Sequence, residues 1–538
     1  MKKRIISLAL LVLVVLQLAA CSAGGKTDRT PPVGDNSDSS NTSTDTAPHY
    51  PPPGAPAPND GDYEPDYAGM PEFKQNESYL TIDENLAKST EVESTLTFSL
   101  KVDSAAYTNV ARYIESGNLP PRDAVRNEEL INYFSYESDM RFSNDPFALY
   151  AEVGPSPFNA DRYMAFIRVK SVDIDRSELP RSNLTFLIDT SGSMDSYDKL
   201  PLLKEAFSLL VDTLTEDDRV SIVTYAGSSA IILDGVSGAD KQKILSAINN
   251  LQAGGSTAGA DGINTAYALA EKNFLENGNN RVILATDGDF NVGVSSTDEL
   301  AELVAEKRGN GVYMSILGFG TGNLRDDIME TLSKVGNGNY SYIYDLQGAK
   351  KVLVEELAAN LFTVADDVKA QIEFNPLNVK SYRLVGYENR QLSNKDFADD
   401  TKDAGEIGAG TDVIMMFELE LYDASQDVEK KYAPASDTSP EFAHELFEVR
   451  LRYKNPGEET SNLMKQPVLF DNIVDFGSND YRFACAVAAF GHMLRGSEYA
   501  ENLTIREIKA LAENSLGTDS GGYRWEFLRL LDRYERLV

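Results

Sequence analysis

The apolar positions of this chain fall into two textures. Between residues 181 and 365, short apolar runs alternate with amphipathic stretches. The runs are LTFLI (184–188), VSIVTY (220–225), AIIL (230–233), VILAT (282–286), YMSILGF (313–319) and YSYIY (340–344). The stretches cover 199–214, 241–251, 258–274, 297–307, 323–335 and 349–359. In the first of them Leu203, Ala206, Phe207, Leu210 and Leu214 share one face of an α-helix. Near-continuous apolar strands separated by helices predict an α/β domain built on a doubly wound, mostly parallel sheet. Sheets of this kind place ligands at the carboxyl ends of their strands.

The second texture flanks the first. TLTFSLKV (95–102), 147–153 and 163–172 alternate apolar and polar before the α/β region. VKAQIEF (368–374), SYRLVGY (381–387), VIMMFELEL (413–421) and LFEVRLRY (446–453) do so after it. Period-two alternation predicts antiparallel strands with one solvated face. A β-sandwich-like unit at 366–475, sharing strands with 147–180, is expected, with the α/β domain (181–365) inserted between its strands. Helical patterns remain at both ends. Residues 76–146 predict a small α-rich region, with helices in AAYTNVARYIES and RDAVRNEELINYF. Residues 476–538 predict a helical region with two apolar faces. One carries Phe483, Ala486, Val487, Phe490 and Leu494; the other carries Trp525, Leu528, Leu531 and Tyr534.

The first 75 residues belong to neither texture. Met1-Lys2-Lys3-Arg4 precedes an apolar stretch, 5–18, too short to span a bilayer comfortably. It closes on Leu18-Ala19-Ala20-Cys21, which resembles the lipobox of bacterial lipoproteins. That resemblance implies a signal peptide at 1–20, a lipid on Cys21, and a protein held on the outer side of a membrane, in the cell envelope. Residues 21–75 are rich in Pro, Ser, Thr, Asp and Gly, with almost no aliphatics. Such a stretch cannot bury enough apolar surface to offset its chain entropy, and a disordered tether is expected.

Charge narrows the partners. Lys and Arg number 50 against 84 Asp and Glu, a net charge of −34. That balance argues against nucleic acid, whose phosphates need basic partners. The two cysteines, Cys21 and Cys485, leave no internal disulfide once Cys21 carries lipid.

Candidate chemistry collects at the strand ends of the α/β region. The run 184–188 leads into Asp189-Thr190-Ser191-Gly192-Ser193, three oxygen donors at alternate positions on one turn. Gly254-Gly255-Ser256-Thr257 lets the backbone bend closely and offers the Thr257 hydroxyl. Thr286-Asp287-Gly288 follows VILA. Two carboxylates and three hydroxyls make an all-oxygen set. Hard oxygen donors suit Mg²⁺, with Mn²⁺ or Ca²⁺ as alternatives, and disfavour Zn²⁺ and copper.

Together these three segments resemble the metal-ion-dependent adhesion site of von Willebrand factor type A domains. The resemblance covers roughly 183–365 and implies that Asp189, Ser191, Ser193, Thr257 and Asp287 hold the metal. It further implies that a protein partner completes the shell with an acidic side chain. The flanks, KVDSAAYTNVARYIESGNLPPRDAVRNEELINYF, RFACAVAAFGHMLRGS and GGYRWEFLRLLDRYERL, are similar to bacterial lipoproteins of the YfbK type. Ala258 departs from the Asn expected after the threonine in such proteins, which bears on loop packing more than on the hydroxyl ligand.

Enzymatic signatures are missing. The sequence has three histidines, His49, His444 and His492, and no GxSxG, HExxH or GxxxxGK[ST]. DTSGS also lacks the second Asp that phosphoaspartate hydrolases use. The expectation is a binding or adhesion protein, not an enzyme. One alternative is a structural scaffold of an envelope complex in which the metal only orders loops. Metal-assisted hydrolysis comes last.

Overall fold

The computed structural model describes residues 77–538, apart from Val102, Asn144, 176–178, 256–258, 289–296 and 423–441. The expected signal peptide, tether and Cys21 lie outside the described residues, and so does Thr257.

In chain order, strands β1 (Lys88–Ser89) and β2 (Thr95–Ser99) lead into helices α1 (Ala105–Glu115) and α2 (Asn127–Asn132). The antiparallel pair β3 (Phe147–Pro155) and β4 (Tyr163–Ser171) follows. The α/β domain opens with β5 (Ser182–Asp189), α3 (Leu200–Thr213), β6 (Arg219–Tyr225) and β7 (Ser229–Ser237). It continues through α4 (Lys241–Asn249), α5 (Gly259–Lys272), β8 (Asn279–Thr286) and α6 (Thr297–Gly309). It closes with β9 (Tyr313–Phe319), α7 (Asp326–Val335), β10 (Tyr340–Ile343), α8 (Leu346–Lys350) and α9 (Leu357–Leu361). After it come β11 (Thr363–Phe374), β12 (Val379–Val385), β13 (Gln391–Leu392), β14 (Gly405–Gly408), β15 (Asp412–Leu421), β16 (Glu445–Lys454) and β17 (Asn462–Leu469). Helices α10 (Asn479–Arg495), α11 (Ile505–Glu513) and α12 (Tyr523–Leu537) end the chain.

The α/β sheet runs β10-β9-β8-β5-β6-β7, parallel except for the antiparallel edge strand β7. Strand β5 sits inside it, between β8 and β6, and every residue of β5 is buried. Leu184, Phe186 and Ile188 pack on one side with Leu203 and Phe207; Leu187 packs on the other with Ile263 and Tyr267. Helices on both faces are why LTFLI carries no solvated position. The Phe186 and Phe207 rings lie 4.7 Å apart, and truncating Phe186 to alanine should cost about 3–5 kcal/mol.

Strands β4 and β15 lie side by side, Ile167 opposite Met415, although the whole α/β domain separates them in sequence. They belong to the antiparallel sheet β1-β12-β15-β4-β3. A second sheet, β13-β2-β11-β16-β17, faces it. Phe98, Ile167, Phe374, Phe417 and Val449, drawn from both sheets, fill one core. The α/β domain is therefore inserted between strands of a β-sandwich.

Residues 76–146 supply β1 and β2 to the two sheets. Their helices join the C-terminal ones: Tyr107, Val110, Leu130 and Phe134 share a core with Phe483, Phe490, Phe527 and Leu531. This helical layer covers the outer face of the first sheet through Met164, Phe166 and Met416. Among the described residues, no helix is long and apolar enough to cross a membrane.

Three local expectations fail. The helix expected over 122–134 is a 3₁₀ turn, Arg122–Ala124, followed by α2, because the backbone at Arg126 is extended and turns its guanidinium inward. The helix expected over 349–359 breaks into α8, a π-helical turn (Lys351–Glu355) and α9. The buried Lys351 there is held between the rings of Tyr133 and Tyr523, 5.0 and 4.6 Å from its ammonium, which fixes the turn off a regular ladder. Trp525 is 57% exposed. The buried positions of α12, Tyr523, Phe527, Leu530, Leu531 and Tyr534, centre on the side of the helix opposite to it.

Candidate metal centre

Parallel pairing brings the ends of β5, β6 and β8 to one level, with Asp189 opposite Tyr225 and Ile188 opposite Ala285. The loops leaving these ends meet there, as expected for an open α/β sheet.

Asp189 is fully buried. Its Oδ1 accepts the Ser191 backbone N–H at 2.8 Å, which tightens the turn. Its Oδ2 accepts the Tyr225 hydroxyl at 3.2 Å and the Thr286 hydroxyl at 3.3 Å. Burial pushes the carboxyl up to about 6, against the pull of the Ser191 donors; the Asp287 charge adds to the rise. Among the described residues, no basic side chain pairs with Asp189. The Ser191 and Ser193 hydroxyl oxygens are 2.9 Å apart. Ser193 lies in the 3₁₀ turn Gly192–Asp195, which Met194 anchors in the core.

The glycine loop is tied to this turn by two backbone bonds, Gly192 N–H to Gly255 O at 3.1 Å and Gly254 N–H to Thr190 O at 2.8 Å. Gly255 adopts φ of 87°, a left-handed conformation that glycine takes without strain. Thr257, two residues on, cannot be placed from the described residues.

Asp287 is also fully buried, but it is not without a cation: Lys199 Nζ donates to its Oδ2 at 2.8 Å. Gly288, at φ of 94°, presses on the segment 323–325, where an added Cβ would meet Asn323 O at 2.6 Å. The structure thus brings together Asp189, Ser191, Ser193 and Asp287, and adds Lys199, which the sequence reading missed. The signal for Lys199 was its position at the N-terminus of α3, where the helix dipole disfavours a cation.

A hard divalent ion fits these groups. Asp189 is a buried carboxylate served only by neutral donors, beside two hydroxyl oxygens, with no nitrogen or sulfur ligand in the set. The rim is acidic and aromatic, with Asp195, Ser196 and Tyr197 exposed. A second group of carboxylates, Asp367, Asp403 and Glu406, gathers at β11 and β14. Lys454 pairs with Asp367 at 2.7 Å and Arg308 with Asp403 at 3.2 Å, so two of the three are already partnered by cations, and burial pushes Glu406 up to about 8. His492 is buried against Asn127 and Glu84 in the helical layer, and burial holds its ring down at about 4.

Residues 183–355 match the family model of the von Willebrand factor type A domain. Residues 73–165 match one described as von Willebrand factor, and 359–537 match the C-terminal region of uncharacterized protein YfbK. Over 463 residues the chain is 44% identical to uncharacterized protein YfbK of Escherichia coli K12, covering 84% of this chain and 80% of that one. The chain belongs to the YfbK family of von Willebrand factor type A domain proteins. A more distant relative is the human inter-alpha-trypsin inhibitor heavy chain H3, 28% identical over 34% of this chain and 21% of its own length. A solved structure, von Willebrand factor type A from Catenulispora acidiphila, is 15% identical with a TM-score of 0.41, covering 72% of this chain and 91% of that one. In this YfbK-family chain the α/β domain is the von Willebrand A fold, and the sandwich and helical layer are additions to it. Domains of this kind generally mediate protein–protein contacts and are generally non-catalytic.

Proposed function

We propose that this protein is a lipid-anchored binding protein of the cell envelope that grips a carboxylate of a protein partner through a divalent metal. Mg²⁺ is the ion the donor set favours, held by Asp189, Ser191, Ser193, Thr257 and Asp287. Cys21 carries the lipid, and residues 21–75 are the spacer that lifts the folded body off the bilayer.

One observation supports this reading above the others. Asp189 lies fully buried at the end of a central strand, served by neutral donors only, with two serine hydroxyls beside it. Burying a carboxylate without a counter-charge costs several kcal/mol, on the order of the pairing a cation supplies. A site of this kind is suited to holding an ion.

The test is capture of a partner from native envelope by the purified chain, in Mg²⁺ and in EDTA, with wild type and Asp189→Ala. Capture lost in EDTA and in the variant, with a cooperative melting transition retained, is the expected result. Capture indifferent to both would reject it. The scaffold reading is favoured by one feature, the buried ion pairs that weld the von Willebrand A domain to the rest of the body. Indifferent capture would turn the assignment towards it.

A further inference from the structure

We propose that Lys199 is a built-in counter-cation of the metal site, which holds Asp287 and lowers the affinity of the site for divalent metal. The proposal rests on the metal reading above and deepens it.

Four features carry it. The Lys199 ammonium lies 2.8 Å from Asp287 Oδ2, with both side chains buried. Its path there is reserved. The stem crosses Gly320, where an added Cβ would stand 2.3 Å from Lys199 Cγ and 2.4 Å from Cε, and Gly320 itself has φ of 71°. The position is otherwise a poor one for lysine. It is the N-cap of α3, where the side chain makes no capping bond and the helix dipole opposes a positive charge. A buried ammonium persists in such a place only where an ion pair offsets its desolvation. Finally, the two site carboxylates are served differently: Asp287 has Lys199, and Asp189 has neutral donors.

The charges then add up in a useful way. Asp189 and Asp287 contribute two negative charges, and Lys199 returns one positive. A divalent ion in the site leaves a net charge of plus one, which a single partner carboxylate neutralises. Without Lys199 the loaded site would already be neutral. Lys199 therefore trades metal affinity for attraction towards an anionic ligand. It also supplies a charge beside Asp287 when no metal is bound, so that the domain does not depend on metal to fold.

The experiment is calorimetric titration of the whole chain with Mg²⁺ and with Mn²⁺, together with melting in EDTA. Wild type is compared with Lys199→Met and Lys199→Arg. Lys199→Met is expected to bind Mg²⁺ about tenfold tighter or more, since an adjacent like charge is gone. It should melt lower than wild type in EDTA and recover with Mg²⁺. Lys199→Arg keeps the charge in a bulkier, planar side chain, and its Mg²⁺ affinity should stay closer to wild type than to Lys199→Met. If Lys199→Met does not fold in EDTA, Lys199→Gln, which keeps a donor without a charge, is titrated in its place. Equal Mg²⁺ affinity in wild type and the uncharged variant overturns the proposal and leaves the metal site standing. Weaker affinity in the uncharged variant also overturns it, because Lys199 would then be positioning Asp287. Binding by neither protein overturns the metal reading and this proposal together.

Discussion

Arg126 donates to both oxygens of Asp326, at 2.6 and 3.1 Å, and both residues are buried. Arg126 precedes α2 in the helical layer, and Asp326 opens α7 of the von Willebrand A domain. Arg390 repeats the device from the sandwich, reaching Glu330 at 3.1 Å and Asp103 at 2.9 Å. Buried charges tie the inserted domain to its host at two points. Asp326→Ala leaves the guanidinium short of a partner inside the protein and should cost about 3 kcal/mol or more in urea denaturation followed by circular dichroism. It should also split one transition into two, as the domain comes loose. A loss below about 0.5 kcal/mol, typical of an ordinary surface site, would refute the weld.

Acid should release a third tie. Two Arg112 nitrogens reach Glu77 at 2.9 and 2.8 Å, and the Tyr113 and Tyr79 hydroxyls donate to it at 2.6 and 2.7 Å. Gly322 N–H of the von Willebrand A domain adds a fifth donor at 3.0 Å. Burial alone would raise this carboxyl; the Arg112 bonds and charge, with the two tyrosines, reverse that and hold it down at about 2, from an ordinary 4.5. The folded state therefore binds the proton less well than the unfolded chain. The contribution is complete above pH 4.5 and drains away as pH falls towards 2, to a total of about 3 kcal/mol. Glu77→Gln should be less stable than wild type at pH 7, and the gap should shrink by about half or more by pH 3. Parallel stability curves for the two proteins between pH 7 and pH 3 would contradict this.

The proposed metal site should behave in the opposite sense when no metal is supplied. Burial lifts Asp189 to about 6, so its charged form is costly at neutral pH. The cost is absent below pH 3.8 and grows as pH rises through 6, to about 3 kcal/mol. In EDTA at pH 8, Asp189→Asn should melt higher than wild type. In Mg²⁺ the order should reverse: a ligand at about one hundred times its Kd stabilises wild type by about 2.7 kcal/mol and leaves the variant unmoved. Equal Mg²⁺ responses from the two proteins would remove Asp189 from the site.

The parts of this molecule legible in sequence are those whose signals are local. LTFLI is apolar throughout because helices cover both of its faces, and Asp189 follows it where an α/β sheet presents ligands. Pairing across long separations is harder to read. Alternation marks β4 and β15 as strands, but nothing in either says that Ile167 and Met415 are neighbours. Lys199 was missed for a related reason: its partner Asp287 is 88 residues away, and its route depends on the missing side chain of Gly320. Trp525 was misplaced because a face drawn through Leu528 and Leu531 includes it, whereas the face centred on Phe527 and Tyr534 does not. The break at Lys351–Glu355 depends on the tertiary clamp of Tyr133 and Tyr523, which no helical window contains.

If the site binds a partner as proposed, Tyr197 is the residue placed to choose it. It is 84% exposed on the turn that joins Ser193 to Lys199, with Asp195 exposed two residues before it. Ser196 ties that turn down by donating to Asp198. A large aromatic side chain held out from the turn that follows Ser193 offers broad contact area at small entropic cost, and tyrosine is enriched among residues that dominate interfaces. The acidic rim adds a condition. With Asp195 exposed on the same turn and a net charge of −34 on the chain, the proposed partner carboxylate would approach this face most readily from a basic surrounding. Tyr197→Ala should therefore weaken capture of the partner by about tenfold or more. Its Mg²⁺ affinity and unfolding free energy should stay within about 0.5 kcal/mol of wild type, as for an exposed position. Asp195→Lys should slow association and reduce its dependence on salt. Capture unchanged by Tyr197→Ala, measured as dissociation rate in Mg²⁺, would move the specificity of the site elsewhere on the rim.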